Sequence, residues 1–224
     1  MKSRIATLFD FNGVLIDDEA VHLASFAEVV ARFGIELTAK DYEERYLGYD
    51  DAGAFRAMLT DAGKNPSAED VAKLIEEKKP VYMRRIATEL KIFDGAVDLV
   101  RRRAERGVVG IVSGALRHEI EHALGIMKVR DQIAFIVAAE DATECKPHPE
   151  GYLHGLRALG ISESGSTEGV VVLEDSTAGV AAAKNARIRC AAVTHSYPAE
   201  RLRAAGADVV VERLVDLTDE VFDG

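Results

Sequence analysis

The fold prediction starts from the segment Ile5-Ala6-Thr7-Leu8-Phe9-Asp10-Phe11-Asn12-Gly13, an apolar run that ends in polar residues and a glycine. The run lacks strict alternation of apolar and polar side chains, which predicts a β-strand covered on both faces. Five similar runs follow, at residues 108–113, 133–138, 170–173, 190–194 and 208–211, and helical patterns separate them. This alternation predicts an α/β fold: a Rossmann-like, doubly wound parallel sheet with helices on both faces.

The alternation is interrupted once, between the first and second runs. Four helical patterns follow the first run, at residues 18–33, 39–47, 51–62 and 68–90, with no convincing strand among them. A crossover between parallel strands needs only about a dozen residues. The residues beyond that requirement predict a helical-bundle cap domain at residues 18–90, inserted into a core domain formed by residues 1–17 and 91–224.

The composition narrows the classes of function. Of 224 residues, 48% are hydrophobic and 29% are charged, which is typical of a globular protein. The formal net charge of -10 disfavours nucleic acid and anionic membranes as partners. No segment approaches the ~18 apolar residues of a membrane span, and Cys145 and Cys190 form no CxxC pair. We therefore expect a cytoplasmic monomer or weak homodimer that acts on a small molecule.

Polar residues follow four of the predicted strands. They are Asp10 and Asn12 after the first, Ser113-Gly114 after the second, Lys146-Pro147 after the third and Glu174-Asp175 after the fourth. In an open parallel sheet, ligands bind beyond the carboxyl ends of the strands. These separated segments are therefore expected to converge on one edge of the sheet.

In these motifs the chain resembles the haloacid dehalogenase superfamily, in particular the phosphatase and β-phosphoglucomutase-like branch with a helical cap. The segment from Phe9 to Leu15 is similar to that family's first motif, Ser113 to the second and Lys146-Pro147 to the third. Leu173-Glu174-Asp175-Ser176 with Gly179 is similar to the fourth. The four motifs occur in order and span essentially the whole chain.

The resemblance implies Mg²⁺-dependent phosphoryl transfer from a small phosphorylated metabolite. Asp10 would be the nucleophile that forms an aspartyl phosphate. A divalent cation would offset the repulsion between this carboxylate and the phosphate dianion. Its ligands would be Asp10, the backbone carbonyl of Asn12 and Asp175, with Glu174 bound directly or through a water.

The same resemblance assigns groups that would contact the phosphate. Lys146 would screen Asp10 from the phosphoryl oxygens, as a point charge. Ser113 and the backbone amides near Gly13 and Gly114 would donate hydrogen bonds to those oxygens.

Substrate contacts are also implied outside these motifs. Relatives recognise their substrates with residues at the positions of His22, Arg45 and Lys78. Arg117 follows Ser113 by four residues and could reach a phosphate or a substrate carboxylate. A solvated helix face is the competing interpretation for Arg45, Lys78 and Arg117.

Asn12 departs from the pattern of the family's phosphatases. They usually carry a second Asp at this position, which protonates the leaving oxygen and then activates water. An amide cannot donate a proton at neutral pH, and a positioned acid or base contributes about 10²–10⁴-fold. Three explanations of Asn12 are open. The chain is an engineered Asp-to-Asn variant that traps the substrate, a natural variant that uses another base (Glu19 or His22), or a phosphoester binder with little turnover.

Two alternatives to a phosphatase follow from this departure. The first is a β-phosphoglucomutase-like phosphomutase, which Asn12 disfavours because a mutase needs acid–base help in both half-reactions. The second, of another class, is a non-catalytic module that binds phosphoesters.

Overall fold

The structure is a computed structural model that describes residues 5–47, 49–162 and 164–223. The chain divides into two compact units. We call Met1–Asp17 with Ile92–Gly224 the core unit, and Asp18–Lys91 the helical unit.

The strands of the described residues are numbered along the chain. They are β1 (Ala6–Phe9), β2 (Ile16–Asp17), β3 (Lys91–Ile92), β4 (Val108–Val112), β5 (Phe135–Val137), β6 (Val170–Glu174), β7 (Arg189–Val193) and β8 (Val209–Val211). Six of them form one sheet in the order β5-β4-β1-β6-β7-β8. All its neighbours pair in parallel, and Ala6 lies opposite Val108 on one side and Val170 on the other. The predicted parallel sheet is confirmed.

The helices follow the predicted patterns closely. They are α1 (Glu19–Val30), α2 (Ala39–Arg45), α3 (Asp51–Asp61), α4 (Ala68–Glu89), α5 (Ala96–Arg106), α6 (Arg117–Met127), α7 (Glu150–Ala158), α8 (Thr177–Asn185), α9 (Ala199–Ala204) and α10 (Asp219–Asp223). The two-residue strands β2 and β3 and the five-residue helix α10 were not predicted, because such short elements carry no periodic signal.

Both faces of the core sheet are covered by helices. Ala6 and Leu8 of β1 pack into a buried cluster with residues of α7, α8 and α9. Successive strand residues face opposite sides, and on the other face the Thr7 hydroxyl accepts a hydrogen bond of 3.0 Å from Nε of Arg103 in α5. The sheet is therefore doubly wound, as predicted.

The helical unit is built around its own apolar core. Phe26 of α1 meets Phe55 of α3 edge-on, with ring centroids 5.0 Å apart. Val71 and Leu74 of α4 are buried in the same cluster. Ser67 begins α4 with a capping box that satisfies backbone donors at the first turn. The four predicted helical patterns of this region are thus all present.

No helix of the described residues is both long and apolar enough to span a bilayer.

Candidate active site

Adjacent strands bring Asp10 and Glu174 together. Asp10 directly follows β1 and Glu174 ends β6, and the Asp10 amide donates 2.9 Å to the Leu173 carbonyl. Lys146 reaches both carboxylates, with Nζ 2.6 Å from Asp10 Oδ1 and 2.7 Å from Glu174 Oε1. The predicted convergence at the carboxyl ends of the strands is therefore present for these three residues.

Asp175 completes an acidic cluster with Asp10 and Glu174. All three are buried, and one carboxylate oxygen from each lies within 4.8 Å of the others. Burial raises the pKa of Asp10 to about 7, opposed by Lys146 and reinforced by Glu174. Burial and the Glu174 and Asp10 carboxylates likewise raise the pKa of Asp175. Both shifts arise first from burial, and the neighbouring carboxylates add to them.

The charge count of this cluster fits a divalent cation. Burial disfavours the charged form of Lys146, but Asp10 and Glu174 raise its pKa above the ordinary value, so it stays cationic. Three carboxylates then face one ammonium, an excess of two negative charges if all are ionised. Carboxylate oxygens are the hard ligands that Mg²⁺ prefers. The donor set and the unbalanced charge both suit that ion.

Glu174 differs from the other two carboxylates because both of its oxygens accept hydrogen bonds from the protein. Oε1 accepts from Lys146 and from the Tyr152 hydroxyl, each at 2.7 Å. Oε2 accepts from the Asp175 amide at 3.1 Å and from the Ser176 hydroxyl at 3.1 Å. A Cβ on Gly179 would lie 1.9 Å from this carboxyl group, so α8 approaches it closely. Glu174 thus anchors Lys146 and the loop that carries Asp175.

The loop after β1 packs against Asp175 through a glycine. Gly13 has φ of +76° and its amide donates 2.8 Å to the Ile16 carbonyl. A Cβ at Gly13 would lie 2.0 Å from Asp175 Oδ2. Position 13 therefore requires glycine both for its backbone conformation and for this close approach.

Ser113 and Asn12 lie side by side at the same sheet edge. Ser113 Oγ is 3.5 Å from Asn12 Oδ1, and it accepts a hydrogen bond of 3.1 Å from the Ala115 amide. A Cβ on Gly114 would meet no atom within 4 Å, so this backbone has open space beside it. The structure therefore brings Asn12, Ser113, Lys146, Glu174 and Asp175 to the Asp10 side of the sheet.

Arg117 is engaged by other protein groups. Its guanidinium donates 3.1 Å to the Ile136 carbonyl and forms an ion pair with Asp141. These contacts tie α6 to β5 and to the segment that follows it. Contact between Arg117 and a substrate stays a prediction.

Within the helical unit, His22 and Lys78 are neighbours and Arg45 has a different partner. Lys78 Nζ lies 2.8 Å from His22 Nδ1 and 2.5 Å from Asp51 Oδ1. Arg45 forms an exposed ion pair with Asp61. That these three residues bind substrate stays a prediction.

Three polar residues of the core site were missed from the sequence. Tyr152 lies on α7, where its spacing resembles that of a core residue. His195 and Ser196 follow β7, which lies beside β6 in the sheet. Extending the survey of polar residues beyond the fourth predicted strand to this one identifies both, because its carboxyl end lies at the same edge.

His195 and Ser196 contact two other loops of the site. His195 Nδ1 lies 2.8 Å from the Gly13 carbonyl oxygen, and the imidazole stacks on Phe93 with centroids 3.7 Å apart. Burial lowers the pKa of His195 below its ordinary value. The Ser196 hydroxyl donates to Asp175 Oδ2.

Comparison with known sequences places the chain in a family. Residues 7–193 match the sequence profile of the haloacid dehalogenase-like hydrolases. The chain belongs to this family. It is therefore an enzyme of the hydrolase class.

Several named relatives of this hydrolase are phosphatases. The chain is 28% identical to validoxylamine A 7'-phosphate phosphatase of Streptomyces hygroscopicus subsp. limoneus, over 94% of each chain. It is 28% identical to hexitol phosphatase B of Escherichia coli K12, over 96% of this chain and 94% of the relative. The crystal structure of CbbY from Rhodobacter sphaeroides, in complex with phosphate, superposes with a TM-score of 0.85 at 25% identity, covering 98% of this chain and 99% of CbbY.

Proposed function

We propose that this hydrolase removes phosphate from a small phosphorylated sugar or sugar alcohol, with Mg²⁺ as cofactor. The observation that carries the proposal is the Asp10 carboxylate, buried beside Lys146 within a cluster that has excess negative charge. The names of the relatives support the substrate class, because two of them act on phosphorylated carbohydrate-like molecules.

Asp10 is the proposed nucleophile. One of its oxygens forms a bond to phosphorus while the bond from phosphorus to the substrate oxygen breaks, which leaves an aspartyl phosphate and an alcohol. Water then attacks phosphorus, releases inorganic phosphate and restores the carboxylate. Lys146, 2.6 Å from Asp10 Oδ1, holds the nucleophile in place and offsets negative charge.

Asp10, Asp175 and the backbone carbonyl of Asn12 are proposed to hold Mg²⁺, which when bound supplies positive charge to the transferring phosphoryl group. Glu174, whose oxygens already accept several protein hydrogen bonds, is proposed to position Lys146 and to reach the ion at most through water. Ser113, the Gly114 amide and the amides on either side of Gly13 donate to the phosphoryl oxygens, whereas the Gly13 amide itself donates to the Ile16 carbonyl. Residues 18–90 are proposed to form the cap domain, with His22, Arg45 and Lys78 as substrate contacts.

Asn12 limits the rate of this reaction. The alcohol oxygen must gain a proton as it leaves, and the attacking water must lose one. An amide performs neither transfer, so solvent water supplies the first proton and accepts the second. We expect slow turnover of alkyl phosphates and faster turnover of an aryl phosphate, whose leaving group needs no proton.

The test is a phosphate-release screen on wild type, Asn12→Asp and Asp10→Asn. The panel contains hexose phosphates, hexitol phosphates, phosphoglycolate and an aryl phosphate, each with Mg²⁺ or with EDTA. We expect wild type to release phosphate only with Mg²⁺. Asn12→Asp should release phosphate from alkyl phosphates about 10²–10⁴-fold faster than wild type. Asp10→Asn should release no phosphate.

Two results would replace the proposal with an alternative. Phosphate that stays in an isomerised organic product indicates the phosphomutase. Binding without turnover, in both wild type and Asn12→Asp, indicates the phosphoester-binding module.

A further inference from the structure

The loop between β7 and α9, residues 194–198, contacts the loops of the candidate site that follow β1 and β6. His195 approaches the Gly13 carbonyl oxygen at 2.8 Å. Because a carbonyl oxygen only accepts, His195 Nδ1 must carry the hydrogen. The next residue, Ser196, donates its hydroxyl to Asp175 Oδ2. Two consecutive side chains thus reach two separate segments of the site.

Each of these side chains is held in place by a further contact. The His195 imidazole is nearly parallel to the Phe93 ring, with centroids 3.7 Å apart and planes inclined by 16°. Asp175 Oδ2, which accepts from Ser196, would lie only 2.0 Å from a Cβ on Gly13. The Gly13 backbone, the Asp175 carboxylate and the β7–α9 loop therefore pack together without intervening space.

Asp175 needs such support because its neighbours repel it. Asp10 and Glu174 carry like charges within 4.8 Å of one of its oxygens. A carboxylate in this position lowers its energy by rotating away from the cluster when no donor holds it. The Ser196 hydroxyl opposes that rotation by fixing one oxygen, which leaves the carboxyl group oriented in the cluster.

His195 acts on the other side of the same site. Its bond to the Gly13 carbonyl fixes the peptide group that follows directly on Gly13. The carbonyl of Asn12, a proposed Mg²⁺ ligand, belongs to the preceding peptide group. Fixing Gly13 therefore limits rotation of the Asn12 carbonyl as well.

We propose that His195 and Ser196 are positioning residues that set the affinity of the site for its divalent cation. This assignment rests on the proposed function, because that function supplies the cation. Groups that hydrogen-bond to metal ligands typically change metal affinity by about 10–100-fold when they are removed.

The experiment measures Mg²⁺ binding by titration calorimetry on protein free of substrate and phosphate. We expect Ser196→Ala to raise the Kd for Mg²⁺ about tenfold, and Ser196→Thr, which keeps the hydroxyl, to restore it. We expect His195→Ala to raise the Kd by a smaller factor. His195→Asn retains an N–H near the position of Nδ1 and is expected to recover part of the loss.

Two control variants separate positioning from general destabilisation. Tyr197→Phe removes a hydroxyl from the residue next to Ser196 and should leave the Kd unchanged. Ser67→Ala removes the cap of α4 and should lower the Tm without changing the Kd. If the Kd rises in every variant whose Tm falls, the role is structural and the proposal is wrong.

The outcomes distinguish this proposal from the proposed function. Unchanged Kd values in both Ser196→Ala and His195→Ala overturn the positioning role, whether or not the enzyme releases phosphate. Raised Kd values with no phosphate release from any substrate support the positioning role and overturn the phosphatase. A wild-type protein that binds no Mg²⁺ at millimolar concentration overturns both.

Discussion

Each unit of the molecule contains a buried polar cluster, and the two clusters differ in how their charge is balanced. In the core unit, Asp10, Glu174 and Asp175 face the single ammonium of Lys146. In the helical unit, Lys78 lies between Asp51 and His22, and Asp18 accepts from His22 and Tyr82.

The helical-unit cluster is closer to internal balance, because two carboxylates face one ammonium. Lys78 is 1% exposed, and its ammonium also lies 4.4 Å from the centre of the Phe26 ring. Because an ammonium only donates, His22 Nδ1 must accept from Lys78, and Nε2 then donates to Asp18 at 3.0 Å. Donors and acceptors match along this chain of contacts, whereas the core-unit cluster has an excess of acceptors and of negative charge.

The comparison teaches that burial of charge alone does not mark a binding site. Both clusters bury ionisable groups, but the excess of negative charge is larger in the core-unit cluster, where we propose that a cation offsets it. Changes that add or remove charge should therefore affect the two clusters in opposite ways.

The largest expected effect is that of Asp10→Asn. We expect kcat for phosphate release to fall by at least about 10³-fold, or about 4 kcal/mol, because the nucleophile is lost. The same change should raise the Tm in EDTA, because it removes one of three like charges. Steady-state assays and thermal unfolding measure the two effects. Asp98→Asn, on the exposed surface of α5, is the control and should change neither.

Next in size is the effect of Lys78→Met on the helical unit. This change leaves the Asp51 carboxylate and the His22 acceptor without their shared donor, at a cost of about 3–5 kcal/mol in the free energy of unfolding. Chemical denaturation measures the loss. Lys79→Met, which breaks only an ion pair with Glu76, should cost under about 1 kcal/mol. Equal stability of the two variants would contradict the balanced-cluster description.

A smaller effect is expected from Mg²⁺ itself. At a concentration of 100 times the Kd, the ion should raise the free energy of unfolding by about 2.7 kcal/mol. Asp175→Asn should abolish most of this gain, whereas Lys78→Met should retain it. A Mg²⁺-induced stabilisation that Asp175→Asn leaves intact would place the ion elsewhere.

The smallest effect is the change in stability of the Mg²⁺-free protein over a single pH unit. The pKa of Asp10 is raised from 3.8 to about 7, so the folded state binds this proton more tightly than the unfolded state. Stability should therefore fall as pH rises through the window from about 4 to 7, by about 1 kcal/mol between pH 6 and 7. Denaturation in EDTA at pH 5, 6, 7 and 8 measures it. The slope should flatten in Asp10→Asn, and a slope of opposite sign would contradict the assignment.

Much of the fold and of the core site could be predicted from the sequence. The strands are apolar runs with no helical period, so the pattern identifies them without tertiary information. Parallel pairing then places the strand ends at one edge, which is why Asp10, Lys146, Glu174 and Asp175 could be grouped although they are distant in sequence.

Other features depend on tertiary contacts that no local pattern encodes. The position of Tyr152 in its helix is typical of a core residue. Only the fold shows that its hydroxyl donates to Glu174. The partners of Arg45 and Arg117 could not be predicted, because each side chain had many acidic residues to choose from. That both Glu174 oxygens accept hydrogen bonds from the protein could likewise not be predicted from the sequence.

Two residues without any functional group constrain how this enzyme can mutate. Gly13 and Gly179 abut the carboxyl groups of Asp175 and Glu174 at distances that leave no room for even a methyl group. Any substitution at either glycine would therefore displace an acidic side chain, and the one that faces Gly13 lies far away in the sequence. Libraries built for directed evolution of substrate choice should keep both codons fixed and place their diversity elsewhere.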